Sequence, residues 1–218
     1  MIRFPGSNAD LDVVWVIRKV AGVNASLVWH KEFRHGIYDA IVLPGGFSYG
    51  DWLRAGAIAA RSEVMDEVGE DVLNGVPVLG ICNGFQILVE SGILPGALLP
   101  NTSGRFICGW VKLRLLNPRG PWLKLAQHGL VVDMPIAHGE GRYYVDEEPI
   151  NRPMIKYFDT NPNGSSYDIA GVASESGLVL GLMPHPERAA EQILVPDDRT
   201  PGGLIIWRSI ASALKEGW

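Results

Sequence analysis

The apolar positions in the first half fall into short unbroken runs separated by helix-spaced stripes. Ile2–Phe4, Ala25–Trp29, Tyr38–Leu43 and Val76–Ile81 have strand length and are bounded by Gly, Pro or polar turns. Between the first two, Ser7 or Asn8 can cap a helix, Asp10 and Asp12 suit its first turn, and Gly22 marks its stop near Ala21. The middle of that segment, Val13–Ile17, is continuously apolar, but its length and caps favour helix over strand. A second stripe, Ala55 to about Glu70, offers Ile58, Val64, Met65 and Val68 to a core. A third, with Phe85, Leu88 and Val89, stops at Ser91-Gly92. Runs alternating with stripes over short links predict a parallel sheet with helices on both faces.

The second half is strand-rich. Phe106–Leu116 alternates, with Val111, Leu113 and Leu115 on one face and Lys112 and Arg114 on the other. Gly129–Ile136, Met154–Phe158, Asp168–Ala173 and Leu178–Met183 are further strands, and Asn161-Pro-Asn-Gly164 is a turn. A last helix, about Gly203 to Leu214, lines up Ile206, Trp207, Ile210 and Leu214 as a buried stripe.

Composition narrows the class. With 47% hydrophobic and 20% charged residues in 218, the chain can bury a core as one large domain or two small ones. No repeat or low-complexity linker divides it. A net charge of -5 without a basic block argues against a nucleic-acid partner. No apolar run is long enough to span a bilayer, and no signal-peptide pattern is present, so no membrane role is expected. Cys82 and Cys108 make no disulfide framework, which fits the cytoplasm. Asn101-Thr-Ser103 and Asn163-Gly-Ser165 match a glycosylation acceptor and are read as chance. Neither a zinc spacing nor a Walker-type phosphate loop occurs, so no cofactor is expected on this chain.

The chemistry centres on Val76–Gln86. Here a strand ends in Gly80-x-Cys82-x-Gly84 and a helix follows, the layout of a nucleophile elbow. A thiol titrates near ~8.5, and a helix N-terminus or a histidine cation favours the reactive thiolate. A lone cysteine is more often a buried structural residue, but the flanking glycines and the strand-to-helix switch argue for a nucleophile. Pro184-His185-Pro-Glu187 follows another strand, stiffened by proline on both sides of the histidine. A carboxylate orienting an imidazole that takes a thiol proton is triad logic.

Gly45-Gly46, just past a strand, leaves backbone N–H groups open to an oxyanion, or is an ordinary turn. Phe47–Arg54, an aromatic loop with Asp51 and Arg54, reads as an active-site rim, a partner surface or a packed loop with an internal ion pair. Ala137–Arg142 is either a ligand-approach loop or a satisfied one. His30, His35 and His128 are read as surface or packing residues.

Taken together, these segments resemble the class I glutamine amidotransferases. Phe4-Pro-Gly-Ser-Asn8, Leu43–Asp51, Leu53–Ala57, Gly80–Gln86, Leu94-Pro-Gly-Ala97, Ile136–Gly141, Asn161–Ser165 and Met183–Arg188 are similar to the glutaminase subunits of phosphoribosylformylglycinamidine synthase. The resemblance implies a single amidotransferase domain over 1–218. Its α/β fold would be flavodoxin-like and three-layered, with a mostly parallel central sheet and extra strands in the second half. It implies that Cys82 attacks glutamine to form a thioester, that His185 moves the proton and that Glu187 orients it. Backbone N–H groups at Gly46 and Asn83 would form the oxyanion hole beside Gly45, and Gln86, His138 and Gly139 would hold glutamine. The ammonia would pass to a large synthetase subunit carrying ATP and Mg, with a small third subunit completing the complex.

Two features depart from the family pattern. The run before Phe4 is short, and Arg142–Thr160 is compact, so that surface's contacts are expected to differ. Two other functions compete. One is an amidotransferase serving a different acceptor, against which the Phe47 loop and the His138 segment argue. The other is a sensor using Cys82 as a redox thiol, which has no need of His185 and Glu187.

Overall fold

The structure, a computed structural model, describes residues 1–218. Strand β1 (Ile2–Arg3) leads through helix α1 (Asp10–Trp15) to β2 (Val28–Trp29), its parallel partner. The run that reads as either helix or strand is helical, but Val16–Val20 widens into a π turn. Its β-branched side chains crowd a regular turn. The strand expected over Ala25–Trp29 shrinks to its last two residues, and β3 (Ile41–Leu43) is the inner end of Tyr38–Leu43.

The helix expected from Ala55 starts late, as α2 (Glu63–Leu73). Leu53 and Gly56 have positive φ, and Ser62 is extended, so the chain runs irregularly until Ser62 resets it. Strand β4 (Val78–Ile81) and helix α3 (Asn83–Glu90) follow as expected.

The remaining strands are β5 (Ala97–Leu99), β6 (Ile107–Leu116), β7 (Val131–His138), β8 (Arg142–Tyr144), β9 (Met154–Phe158), β10 (Ile169–Ala173) and β11 (Val179–Leu182). Helix α4 (Leu204–Glu216) ends the fold, with Ile206, Trp207 and Ile210 buried. β5 and β8, absent from the sequence reading, pair with each other and fasten the exit of α3 to the chain beyond His138.

The main sheet has seven strands in the order β3-β4-β11-β10-β9-β6-β7. The α/β class, the flanking helices and the extra strands hold. The parallel part is smaller than expected: only β3–β4 and β4–β11 are parallel, and the other neighbours are antiparallel, so the sheet is mixed. Strands β9, β10 and β11 follow one another over links too short for a crossover, which forces antiparallel pairing.

The sheet curls until its far edge meets its near half. The His185 N–H, beyond β11, donates to Pro135 O on β7 at 2.8 Å. One apolar cluster of 48 buried residues runs from Met1 to Ile210, with Trp122, Trp207, Phe33 and Phe85 fully enclosed. No helix is long and apolar enough to cross a membrane.

Candidate active site

The three adjacent parallel strands deliver the chemistry to one edge. Leu43 pairs with Gly80, and Ile81 with Leu182, so the chain after each strand emerges at the same level. Gly45-Gly46 follow β3, Cys82 follows β4 and His185 follows β11. This is the carboxyl edge at which open α/β sheets place their ligands. Cys82 N–H donates to Leu182 O at 2.8 Å, which fixes the elbow to its neighbour.

Cys82 sits at φ 49°, ψ −103°, a conformation that a non-glycine residue holds only under constraint. The constraint is packing. A Cβ at Gly84 would run into Leu43 O, so glycine there lets α3 lie directly against β3. The result aims the N-terminus of α3 at the Cys82 side chain.

His185 and Glu187 are buried together, 3% and 0% exposed by side chain. His185 Nδ1–H donates to Glu187 Oε1 at 2.6 Å, which turns Nε2 away from the carboxylate. Burial pushes the imidazole's pKa down. The Glu187 charge, then the Cys82 charge, together with the hydrogen bond to Glu187, outweigh burial and raise it to about 10. The ring therefore carries its proton at neutral pH, opposite a sulfur. Arg188 Nε lies 3.7 Å from the same Glu187 oxygen. A Cβ on Gly45 would come within 2.8 Å of His185 Cε1, so this position must be bare for the ring to stand where it does.

The backbone N–H groups of Gly46 and Asn83 donate to no backbone acceptor. Asn83 is the first residue of α3, where an N–H has no intrahelical partner. Both lie beside the sulfur in sequence or in space, where donors to a developing oxyanion act. The Asn83 side chain does other work. Its Oδ1 accepts from Ser48 N–H at 3.1 Å and its Nδ2 donates to Gln86 Oε1 at 3.0 Å, tying the Phe47 loop to α3.

The opposite wall comes from the end of β7. Ala137 O accepts from Cys82 Sγ at 3.7 Å. His138, which the sequence places in a loop, closes the strand, and its ring is 3% exposed. Burial, then the His185 charge, lower its pKa to about 4, so it is neutral. Asn101 holds it. Asn101 Nδ2 donates to the carbonyls of His138 and Arg105, both at 2.9 Å, so Oδ1 accepts from His138 Nδ1–H and Gly141 N–H, both at 3.1 Å. Asn163, wholly buried, donates to Gly141 O at 2.7 Å and to Tyr157 Oη at 3.1 Å. Both asparagines of the discounted acceptor triplets are thus the internal posts of this wall.

Between the walls lies a cavity of about 160 Å³ lined by Gly46, Cys82, Gln86, His138 and Gly139, with Asp51 and Glu140 at its side. Gln86 faces it, but its amide is occupied. Nε2 donates to Glu140 O at 2.7 Å, and Oε1 accepts from Asn83. Gln86 therefore holds the two walls together. Arg54 does not pair with Asp51; its fork grips Glu90, with Nε 2.7 Å from Oε1. A larger apolar hollow between Met1, Ile17, Trp122 and Trp207 has neither cysteine nor histidine in its lining. His30 is a packing residue, stacked on Phe4 at 5.3 Å.

Comparison with known proteins gives the family. The model of the CobB/CobQ-like glutamine amidotransferase domain matches residues 1–203. A phosphoribosylformylglycinamidine synthase subunit PurQ from Pyrobaculum aerophilum is 52% identical over 99% of this chain and 98% of its own length. Another from Thermus thermophilus is 48% identical over 97% and 98%. A chain in the structure of PurLQS from Thermotoga maritima superposes with a TM-score of 0.88 at 43% identity, covering 98% of this chain and 96% of that one. A further glutamine amidotransferase of Thermotoga maritima, at 17% identity and a TM-score of 0.60, shares the fold. The chain belongs to the CobB/CobQ-like glutamine amidotransferases and, within them, to the PurQ subunits of phosphoribosylformylglycinamidine synthase.

Proposed function

We propose that this chain hydrolyses glutamine through a thioester on Cys82 and supplies the ammonia to an ATP-dependent synthetase partner. That partner converts formylglycinamide ribonucleotide to formylglycinamidine ribonucleotide in purine biosynthesis. A small third subunit completes the complex, ATP and Mg belong to the synthetase, and the cytoplasm is the location. One observation carries the reading: a cysteine at a strained elbow faces a buried, Glu187-held imidazolium, with two free backbone N–H groups beside the sulfur.

His185 carries its proton at rest, so the proton needed by the leaving group is already in place. Cys82 Sγ attacks the carboxamide carbon, and the carbonyl oxygen takes up negative charge against the Gly46 and Asn83 N–H groups. The C–N bond breaks as His185 Nε2–H protonates the departing nitrogen, releasing ammonia. Neutral His185 then removes a proton from water, which attacks the thioester. Glutamate leaves, the sulfur is freed and the proton is back on His185. Glu187 stabilises the charged imidazole throughout and exchanges no proton.

The test is Cys82→Ser in the complex with both partners. Glutamine-dependent synthesis is expected to fall more than about a thousandfold while ammonia-dependent synthesis persists. Loss of both activities in a folded complex would contradict the assignment.

A further inference from the structure

Strand β6 runs ten residues and its neighbour β9 only five. Pairing between them begins at Lys112 opposite Phe158, so Ile107–Val111 have β7 on one side and no strand on the other. Outside the β7 pairing, no backbone hydrogen bond reaches Ile107–Trp110. The cause lies in the binding wall. Asp159, at φ 74°, turns the chain out of β9. Asn163 then donates to Gly141 O, and its own carbonyl accepts from Thr102 N–H at 3.1 Å. The chain that could have covered β6 is drawn off to hold that wall instead.

A cavity of about 380 Å³ runs along this edge, lined by Gly109, Trp110, Val111, Phe158, Thr160 and Pro162. Gly109 is the one glycine of β6, and a Cβ there would meet nothing within 4 Å. A glycine inside a strand weakens it and marks a place where another backbone can approach.

The two edges of the β6–β7 pair contrast. The outer edge of β7 carries Asp133 and Pro135, Gly202 packs against Asp133 O, and Pro135 O accepts from His185 N–H. These are the devices that blunt an edge. Ile107-Cys-Gly-Trp-Val111 has neither charge nor proline. Ile107, Trp110 and Val111 are half-buried and Cys108 is exposed. The N–H and C=O groups of such an edge recur about every 7 Å, a spacing that another extended backbone matches.

We infer that Ile107–Val111 is the docking edge for an extended segment of the synthetase subunit, which adds as a strand beside β6 in line with β9. The inference rests on the proposed function, which supplies the synthetase. Position names the occupant. Phe106, the residue before the edge, lines the Cys82 cavity. Ammonia leaves from that cavity, so the subunit that receives it closes over the same rim. Ile107 and Cys108 pair with His138 and Ala137, which puts the added strand one ladder away from the wall. The segment is apolar at alternate positions, to pack beside Ile107 and Val111.

The test is amide hydrogen exchange of the full chain, alone and with the synthetase, the small subunit or both. In the free chain the Ile107–Val111 N–H groups turned away from β7 are expected to exchange fast. The synthetase is expected to slow them about tenfold or more. A wild-type complex that uses glutamine without this protection would overturn the docking edge alone. Protection given only by the small subunit, or by concentrating the free chain, would overturn it too. A wild-type chain that forms no complex with the synthetase would overturn the proposed function together with the edge.

Gly109→Lys puts a charge on the edge at a position with room for a side chain. It is expected to weaken synthetase binding about tenfold or more and to leave the Tm of the free chain unchanged. Wild-type affinity in this variant would overturn the docking edge. If the variant fails to fold, the exchange measurement on the wild-type chain decides.

Discussion

The two halves of the sheet do different jobs by different means. The parallel strands β3, β4 and β11 place Gly46, Cys82 and His185 by register alone, because their ends lie level. The antiparallel strands contribute the facing wall at the end of β7, and register does not suffice there. That wall is held by buried asparagines reaching across long stretches of chain, Asn101 to His138 and Asn163 to Gly141. The chemistry therefore stands on backbone geometry, whereas the binding wall stands on side-chain hydrogen bonds. Damage to the first should cost turnover, and damage to the second should cost binding and stability.

The sharpest way to break this contrast is within the parallel half. His185→Ala is expected to lower glutaminase kcat by several orders of magnitude with little change in fold, because it removes the proposed proton carrier. Glu187→Gln is expected to cost less in rate. It should also bring the His185 titration down from about 10 toward the ordinary imidazole range, followed by the ring proton in a histidine NMR titration. The folded pKa is raised, so this imidazole's contribution to stability is complete below about 6.5 and fades as pH rises through about 10. In Glu187→Gln that alkaline loss should move to lower pH. A larger rate loss in Glu187→Gln than in His185→Ala would contradict the assigned roles.

In the antiparallel half the expected effect is smaller and of another kind. Asn101→Ala leaves two N–H groups and two carbonyls short of a partner, a cost of about 2 kcal/mol or more. For a chain this size that is roughly 4–8 °C in Tm by calorimetry. KM for glutamine should rise with it and kcat change less. An unchanged Tm would mean that the wall does not depend on its posts.

The same contrast explains what could be read from the residues beforehand. The elbow is legible because Gly80, Cys82 and Gly84 lie within one turn of chain and each answers a local steric need. Pro184-His185-Pro186-Glu187 is legible for the same reason, since the His185–Glu187 bond spans two residues. The wall is not. Asn101 meets partners 37 and 40 residues away, and nothing in Asn101-Thr-Ser103 separates a buried post from a surface turn.

The Asp51–Arg54 pairing offered by sequence distance loses to Glu90, 36 residues on, at the last position of α3. The mixed sheet has a similar origin. Periodicity finds strands, but link length decides direction, and the short links lie in the second half.

In the proposed mechanism geometry, and not exposure, activates one cysteine. Cys108 is exposed and Cys82 is buried, so indiscriminate chemistry should favour Cys108. The direct measurement is intact mass and peptide mapping after treatment with a glutamine-like chloroketone. A single adduct on Cys82, suppressed by excess glutamine, is the predicted result. Labelling of Cys108 first, or of both equally, with the synthetase and small subunits present, would contradict the account.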